Sequence, residues 1–134
     1  MGLEIFGLSS LHVWLNINLV LSRGRGIKCL ANLNDILDTS LGKETQYVVQ
    51  KYIENPLIIN KRKFDIRVWV VVEDYNPPKI WFYNQFYLRF CLEDYNTDAL
   101  KNRYAHLTNN SIQRYNTKIG SADLDSSMWD RETF

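Results

Sequence analysis

Lys63-Phe64-Asp65-Ile66-Arg67 opens a run of β-forming residues that continues through Val68-Trp69-Val70-Val71-Val72-Glu73. Side chains alternate across a strand, so Lys63, Asp65, Arg67 and Trp69 take one face and Phe64, Ile66, Val68 and Val70 the other. The apolar set can join a core. Three charges in a row on so apolar a strand are costly to bury unless they meet one another or a charged ligand. A second run, Ile80 to Cys91, repeats the pattern, with Trp81, Tyr83, Gln85, Tyr87 and Arg89 on one face and Ile80, Phe82, Phe86, Leu88 and Phe90 opposite. Between them, Asp74-Tyr75-Asn76-Pro77-Pro78-Lys79 is a hairpin connection, because two prolines cannot serve a central ladder. Paired in this way, Arg67 and Arg89 converge on one anionic spot, and two guanidinium groups on a rigid sheet suit a carboxylate or a phosphate. A solvated face of mutual ion pairs, with Arg89 a rim cation over aromatic rings, is the alternative that spacing alone leaves open.

Working upstream, Leu57-Ile58-Ile59 is a short apolar run between the Asn55-Pro56 break and a turn at Lys61-Arg62. Gln46 to Ile53 is rich in β-branched and aromatic residues and is expected to be a strand. Asn32 to Leu41 is expected to be a short helix, with Asn32 as N-cap, Leu33, Ile36, Leu37 and Leu41 at helical spacing, and Gly42 closing it. Ser22-Arg23-Gly24-Arg25-Gly26 is a flexible basic turn after a strand over Val13 to Leu21. Downstream, Asp94 to Tyr104 suggests a short helix capped by Asn96 or Thr97. His106 to Tyr115 mixes helix and loop signals, and the polar tail from Lys118 to Phe134 is expected to be loop. The whole is an α+β chain, mostly antiparallel sheet with flanking helices.

Composition narrows the function. At 134 residues the chain suits one domain or a piece of one. A hydrophobic fraction of 46% with four Trp, eight Tyr and six Phe supports a real core and excludes disorder. A formal charge of +1 lacks the basic excess of a general nucleic-acid or membrane-surface binder, so neither is expected as a partner. The apolar start, Met1 to Leu21, has no basic n-region and is interrupted by His12, Asn16 and Asn18, which fits neither a signal peptide nor a membrane span. Phe6 stands where a myristoylation site needs Ser or Thr. Cys29 and Cys91 are too far apart in sequence for a metal-ligand motif and are expected to be reduced thiols of a cytoplasmic protein. No nucleophile triad is arguable from His12 and His106, and no metal-ligand cluster is evident.

Locally, Arg23-Gly24-Arg25-Gly26 can wrap a polyphosphate through backbone N–H groups and two cations, or be an ordinary glycine turn. Lys51, within Gln50-Lys51-Tyr52-Ile53, is by itself a surface lysine. His106-Leu107-Thr108-Asn109-Asn110-Ser111 offers small hydrogen-bonding side chains that equally suit turns and caps.

The order of these segments is more specific than any one of them. Ser22-Arg-Gly-Arg-Gly-Ile27, Gln50-Lys-Tyr-Ile53, Lys63-Phe-Asp-Ile-Arg67, Tyr87-Leu-Arg-Phe90 and His106-Leu-Thr-Asn109 together resemble the tubulin–tyrosine-ligase-like family, from about Leu21 to Phe134. Tyr52 to Asn60, Ile80 to Tyr83, Asn109 to Gln113 and Met128-Trp129 look most like its glycine-ligating branch. The resemblance implies an incomplete ATP-grasp-like fold, with residues 12–49 the remnant of a central subdomain and 50–134 part of the C-terminal one. It implies that Arg23, Gly24, Arg25 and Gly26 cover the phosphates of ATP. Gln50, Lys51, Tyr52 and Ile53 would form the adenine hinge, and Lys63 and Asp65 would contact the nucleotide. Arg67 and Arg89 would hold the amino acid or its acyl-phosphate partner, with Thr108 and Asn109 assisting at ribose, phosphate or substrate. ATP and Mg²⁺ are the implied cofactors, and free glycine and the acidic C-terminal tail of tubulin the implied partners, at microtubules of the cytoplasm or of a cilium or flagellum.

The sequence departs from the family in two places. A Lys-Pro before the glycine turn is missing, since Val13 to Leu21 contains no lysine. An acidic strand with Glu-x-Asn, which would ligate Mg²⁺, is not reached. The expectation is therefore a truncated or degenerate relative with little turnover of its own, its metal ligands outside this chain. A glutamate ligase of the same family and a non-catalytic tubulin-binding module are the competing expectations.

Overall fold

The computed structural model describes residues 13–42, 44–118 and 126–134. The expectations for the apolar start before residue 13, and for part of the tail, lie outside the described residues. In chain order the elements are β1 (Trp14–Asn18), β2 (Lys28–Leu30), α1 (Leu33–Ser40), β3 (Tyr47–Lys51), β4 (Ile58–Ile59), β5 (Arg62–Arg67), β6 (Val70–Tyr75), β7 (Pro78–Phe82), β8 (Tyr87–Phe90), a 3₁₀ turn (Thr97–Ala99), α2 (Arg103–His106), α3 (Asn110–Gln113) and β9 (Met128–Asp130). They form a mixed α and β fold in which every strand pairing is antiparallel: a sheet ordered β2-β1-β3, a second ordered β4-β5-β8-β9, and a ribbon of β6 and β7.

The hairpin expected from the two long runs forms, but in two pieces. Each run is interrupted, at residues 68–69 and 83–86, so that β5 pairs with β8 while β6 pairs with β7. In the first pair Asp65 lies opposite Arg89, Arg67 opposite Tyr87, Phe64 opposite Phe90 and Ile66 opposite Leu88, which reproduces the expected division of faces. The apolar face is covered only at one end. Leu88 and Phe90 are fully buried, and Phe90 packs on Phe64 with ring centroids 5.4 Å apart and on Trp129 at 4.7 Å. Ile66, Val68, Val70, Ile80 and Phe82, expected in the core, are exposed, and among the described residues no sheet or helix is stacked on the β6–β7 ribbon that carries the last three.

Trp129 also corrects the expectation of a loop tail. Met128–Asp130 is a strand that pairs with β8, with Trp129 opposite Leu88. The single helix expected over 94–104 is instead a 3₁₀ turn capped by Asn96 and the separate α2 capped by Asn102. Helix α1 is as its sequence demands. Asn32 Oδ1 accepts from the Asn34 amide at 2.8 Å, and Gly42, just past the helix, takes the left-handed φ of 70° that glycine tolerates.

A second buried cluster lies at the β2-β1-β3 sheet, covered by the segment that follows β8. Val13, Cys29 and Tyr52 form it, with Leu15, Tyr95 and Leu100 packed against them. Both cysteines are free and buried, and burial pushes the Cys91 thiol up to about 12, so it stays protonated at neutral pH and is no nucleophile.

Candidate functional site

The charged face of β5 and β8 looks onto an open cleft of about 680 Å³ lined by Arg23, Gly24, Arg67, Arg89, Asn109 and Arg114, among others. They come from four pieces of chain: Arg23 and Gly24 from the glycine turn, Arg67 and Arg89 from two adjacent strands, and Asn109 and Arg114 from the ends of α3. The turn is held there by α3. Ser111 Oγ donates to the Arg23 carbonyl at 2.7 Å, and Gly24 presses so closely on Asn109 that a Cβ at position 24 would stand 2.4 Å from Asn109 Oδ1. Arg23, Gly24 and Gly26 all have positive φ, at 61°, 80° and 73°. The turn's internal bonds run from Arg25 N to Ser22 O and from Ile27 N to Gly24 O. Among the described residues the Gly24 and Gly26 amides have no acceptor, the condition for a backbone anion cradle.

The two arginines singled out from the sequence differ sharply. Arg89 is fixed at the cleft base by a bidentate pair with Asp65, Nε to Oδ1 at 2.8 Å and Nη2 to Oδ2 closer still. That contact, outweighing partial burial, raises the Arg89 pKa and keeps its charge permanent. Arg67, by contrast, is exposed and has no carboxylate within ion-pair distance among the described residues. Asp65 is thus an orienting partner for Arg89 within the cleft wall.

The remaining expected site residues lie elsewhere. Arg25 folds back onto Ser22, its Nε 3.2 Å from the Ser22 carbonyl, and Gly26 lines a different cleft with β2 and α1. Gln50, Lys51 and Ile53 are exposed on or beside β3, and Lys51 pairs with Glu54. Lys63 sits behind the cleft. Its Nζ donates to the His106 carbonyl at 2.8 Å and lies 4.8 Å from the centre of the Tyr52 ring, and burial pushes its pKa down. Thr108, two residues after His106, is buried and does not line the cleft. The structure therefore brings together Arg23, Gly24, Arg67, Arg89 and Asn109, and leaves Arg25, the hinge segment, Lys63 and Thr108 outside. Sequence reasoning missed Arg114, whose only local signal is its position shortly after Asn109, and it read Ser111 only as one of the hydrogen-bonding side chains of the His106–Ser111 stretch.

Behind the cleft, His106 is fully buried. Its Nε2 lies 3.3 Å from the Ala99 carbonyl, which only accepts, so Nε2 carries the proton and Nδ1 accepts from the Tyr52 hydroxyl at 3.0 Å. Burial lowers the His106 pKa from its ordinary 6.5. Protonation is penalised in the folded chain only, so stability is level above that value and declines as pH falls below it, by at most about 1.4 kcal/mol per pH unit. Urea midpoints taken from about pH 8 down to about pH 5 should show this decline in the wild type and a flatter profile in His106→Gln.

The family model described as "Tubulin-tyrosine ligase family" matches residues 9–134. Tubulin glycylase 3B of Tetrahymena thermophila is 53% identical over 123 residues, covering 92% of this chain and 10% of that protein. Tubulin monoglycylase TTLL3 of Danio rerio is 44% identical over 109 residues, covering 78% of this chain and 14% of that protein. Protein monoglycylase TTLL8 of Homo sapiens is 40% identical over 131 residues, covering 92% and 15%. The chain thus spans only between 10% and 15% of the length of these curated relatives.

Proposed function

Since the chain belongs to the tubulin-tyrosine ligase family, we propose that it is the nucleotide- and substrate-holding part of an ATP-dependent ligase that attaches glycine to glutamate side chains of tubulin, working at microtubules. The observation that carries this reading is the convergence of Arg67, Arg89, Arg23, Gly24 and Asn109 on one cleft. The relatives named as glycylases favour glycine over glutamate as the amino acid. An ATP-grasp arrangement, with residues 12–49 and 50–134 as parts of two subdomains, fits this use, with β3 running across that boundary.

The glycine turn, with the unpaired Gly24 amide and Arg23 lining the cleft, suits the phosphates of ATP. The γ-phosphoryl group passes to the glutamate carboxylate, giving an acyl phosphate and ADP. The amine of glycine then attacks the acyl carbon: the C–N bond forms, the C–O bond to phosphate breaks, phosphate leaves, and the nitrogen loses a proton. Arg67 and Arg89 hold and neutralise the anionic groups brought together there, so the work of this chain is positioning and charge stabilisation. Among the described residues no group of three His, Cys, Asp or Glu side chains gathers where a cation would sit, so none of them is assigned to Mg²⁺.

Calorimetric titration with ATP tests the reading. Saturable binding by the wild-type chain, reduced at least tenfold in an Arg23→Ala, Arg67→Ala double variant, is the expected result. A folded wild-type chain that binds no ATP would overturn it.

A further inference from the structure

Four arginines border the cleft, and they divide into two kinds. Arg89 lies at the base with its charge met by Asp65 and only 15% of its side chain accessible. Arg23, Arg67 and Arg114 stand exposed around the mouth, and among the described residues none of the three has a carboxylate within ion-pair distance. Like charges gathered on a concave surface without partners raise the local potential and draw in anions. The compact ligands of the proposed reaction, a polyphosphate and a free amino acid, are served by Arg67, Arg89 and the glycine turn with Arg23, which leaves Arg114 without a role there. A charge at the mouth meets what enters from outside.

Arg114 is the most distinctive of the three. It follows α3, and its amide bonds the Asn110 carbonyl at 3.0 Å, one turn away from the Asn109 end that contacts the glycine turn. Its guanidinium lies 4.9 Å from the centre of the Tyr115 ring and donates from Nη2 to the Tyr115 hydroxyl at 3.0 Å. Those contacts fix the group in a plane while leaving most of its five N–H donors open.

We infer that Arg114 is a specificity residue for the acceptor: it holds a carboxylate of an acidic peptide that flanks the glutamate received by Arg67 and Arg89. The inference rests on the ligase reading above and adds to it the residue that recognises the peptide rather than the nucleotide. An extended anion can meet Arg114 while its reacting carboxylate lies at Arg67 and Arg89, since all three line the one cleft. Rim charges act chiefly on encounter and are screened by salt.

A fluorescein-labelled oligoglutamate peptide, followed by anisotropy at low and at physiological ionic strength, tests this on the chain as it is, with ATP titrated separately by calorimetry. Arg114→Ala is expected to weaken peptide binding roughly threefold to tenfold at low salt, less at higher salt, and to leave ATP affinity unchanged. Arg114→Lys should recover part of the loss. Arg103→Ala is the matched control, since Arg103 makes the same contacts with its neighbour Tyr104 but lines the other cleft; it should bind peptide as the wild type does. Equal peptide affinity in Arg114→Ala and wild type, or equal weakening by Arg103→Ala, overturns the inference. Loss of ATP affinity in Arg114→Ala also overturns it and makes Arg114 a phosphate ligand, leaving the ligase reading in place. Peptide binding that depends on Arg114 in a chain that binds no ATP supports the acidic-peptide site and sinks the nucleotide reading alone.

Discussion

Replacing Phe90 by alanine is expected to remove about 3–5 kcal/mol of folding stability. Phe90 has no exposed surface, and three groups close on its ring: Phe64, Trp129 and the guanidinium of Arg62, 5.2 Å from the ring centre. Its removal leaves a cavity where β5, β8 and β9 are sewn together, and a domain with ~5–15 kcal/mol in total has little to spare. The comparison is Ile66→Ala. Ile66 is on the same sheet face, two residues from Phe64, yet it is 52% exposed, so its loss should cost under about 1 kcal/mol. Urea unfolding of both variants checks the pair. Similar losses would mean that Ile66 is covered in solution and that the apolar face is buried along its whole length.

Gly24→Ala is expected to weaken ATP binding by about tenfold or more while leaving the fold in place, a change of about 1.4 kcal/mol or more in binding free energy. The new Cβ would stand 2.4 Å from Asn109 Oδ1 and 2.8 Å from Asn109 Cγ, so the turn must lift off α3 and lose its alignment with Arg67 and Arg89. Gly42→Ala separates this collision from backbone strain. Gly42 has a similar φ of 70°, but nothing lies within 4 Å of its added methyl, so that variant carries only the left-handed penalty of about 1–2 kcal/mol on stability and none on ligand affinity. Calorimetry with ATP alongside urea midpoints reads both quantities. Unchanged ATP affinity in a folded Gly24→Ala chain would show that the turn does not cradle phosphate.

The features legible in the sequence are those set by local rules. Alternation over Lys63–Arg67 and Tyr87–Phe90 placed Asp65, Arg67 and Arg89 on one face, because a two-residue period survives any tertiary arrangement that keeps the strands. Asn32 announced α1 because an N-cap is a contact within one turn. The break at residues 68–69 was not legible, since Val68 and Trp69 are good strand residues and what parts β5 from β6 is the change of pairing partner. Nor was β9, for Met128–Asp130 is too short to show a period and becomes a strand only through β8. At the site, alternation set Arg67 and Arg89 on one face, but it could not decide between an open guanidinium pair and the ion pair that Arg89 makes with Asp65 across the strands. Arg25 could not be separated from Arg23, because the turn's φ values decide which guanidinium faces the cleft. Arg114 could not be joined to either, because it meets them only through the tie of α3 to the turn.

The β6–β7 ribbon gives the molecule two stabilities instead of one. Among the described residues its two strands have open outer edges and wet apolar side chains, and a two-stranded ribbon in water holds together only marginally. It therefore opens as a unit of its own, many times for each opening of β5 and β8, whose ladder is closed on both sides by β4 and β9. The cleft arginines Arg67 and Arg89 stand on the slow-opening side of that divide, so the ribbon can unzip as far as Val70 and Phe82 without disturbing the guanidinium groups that line the cleft.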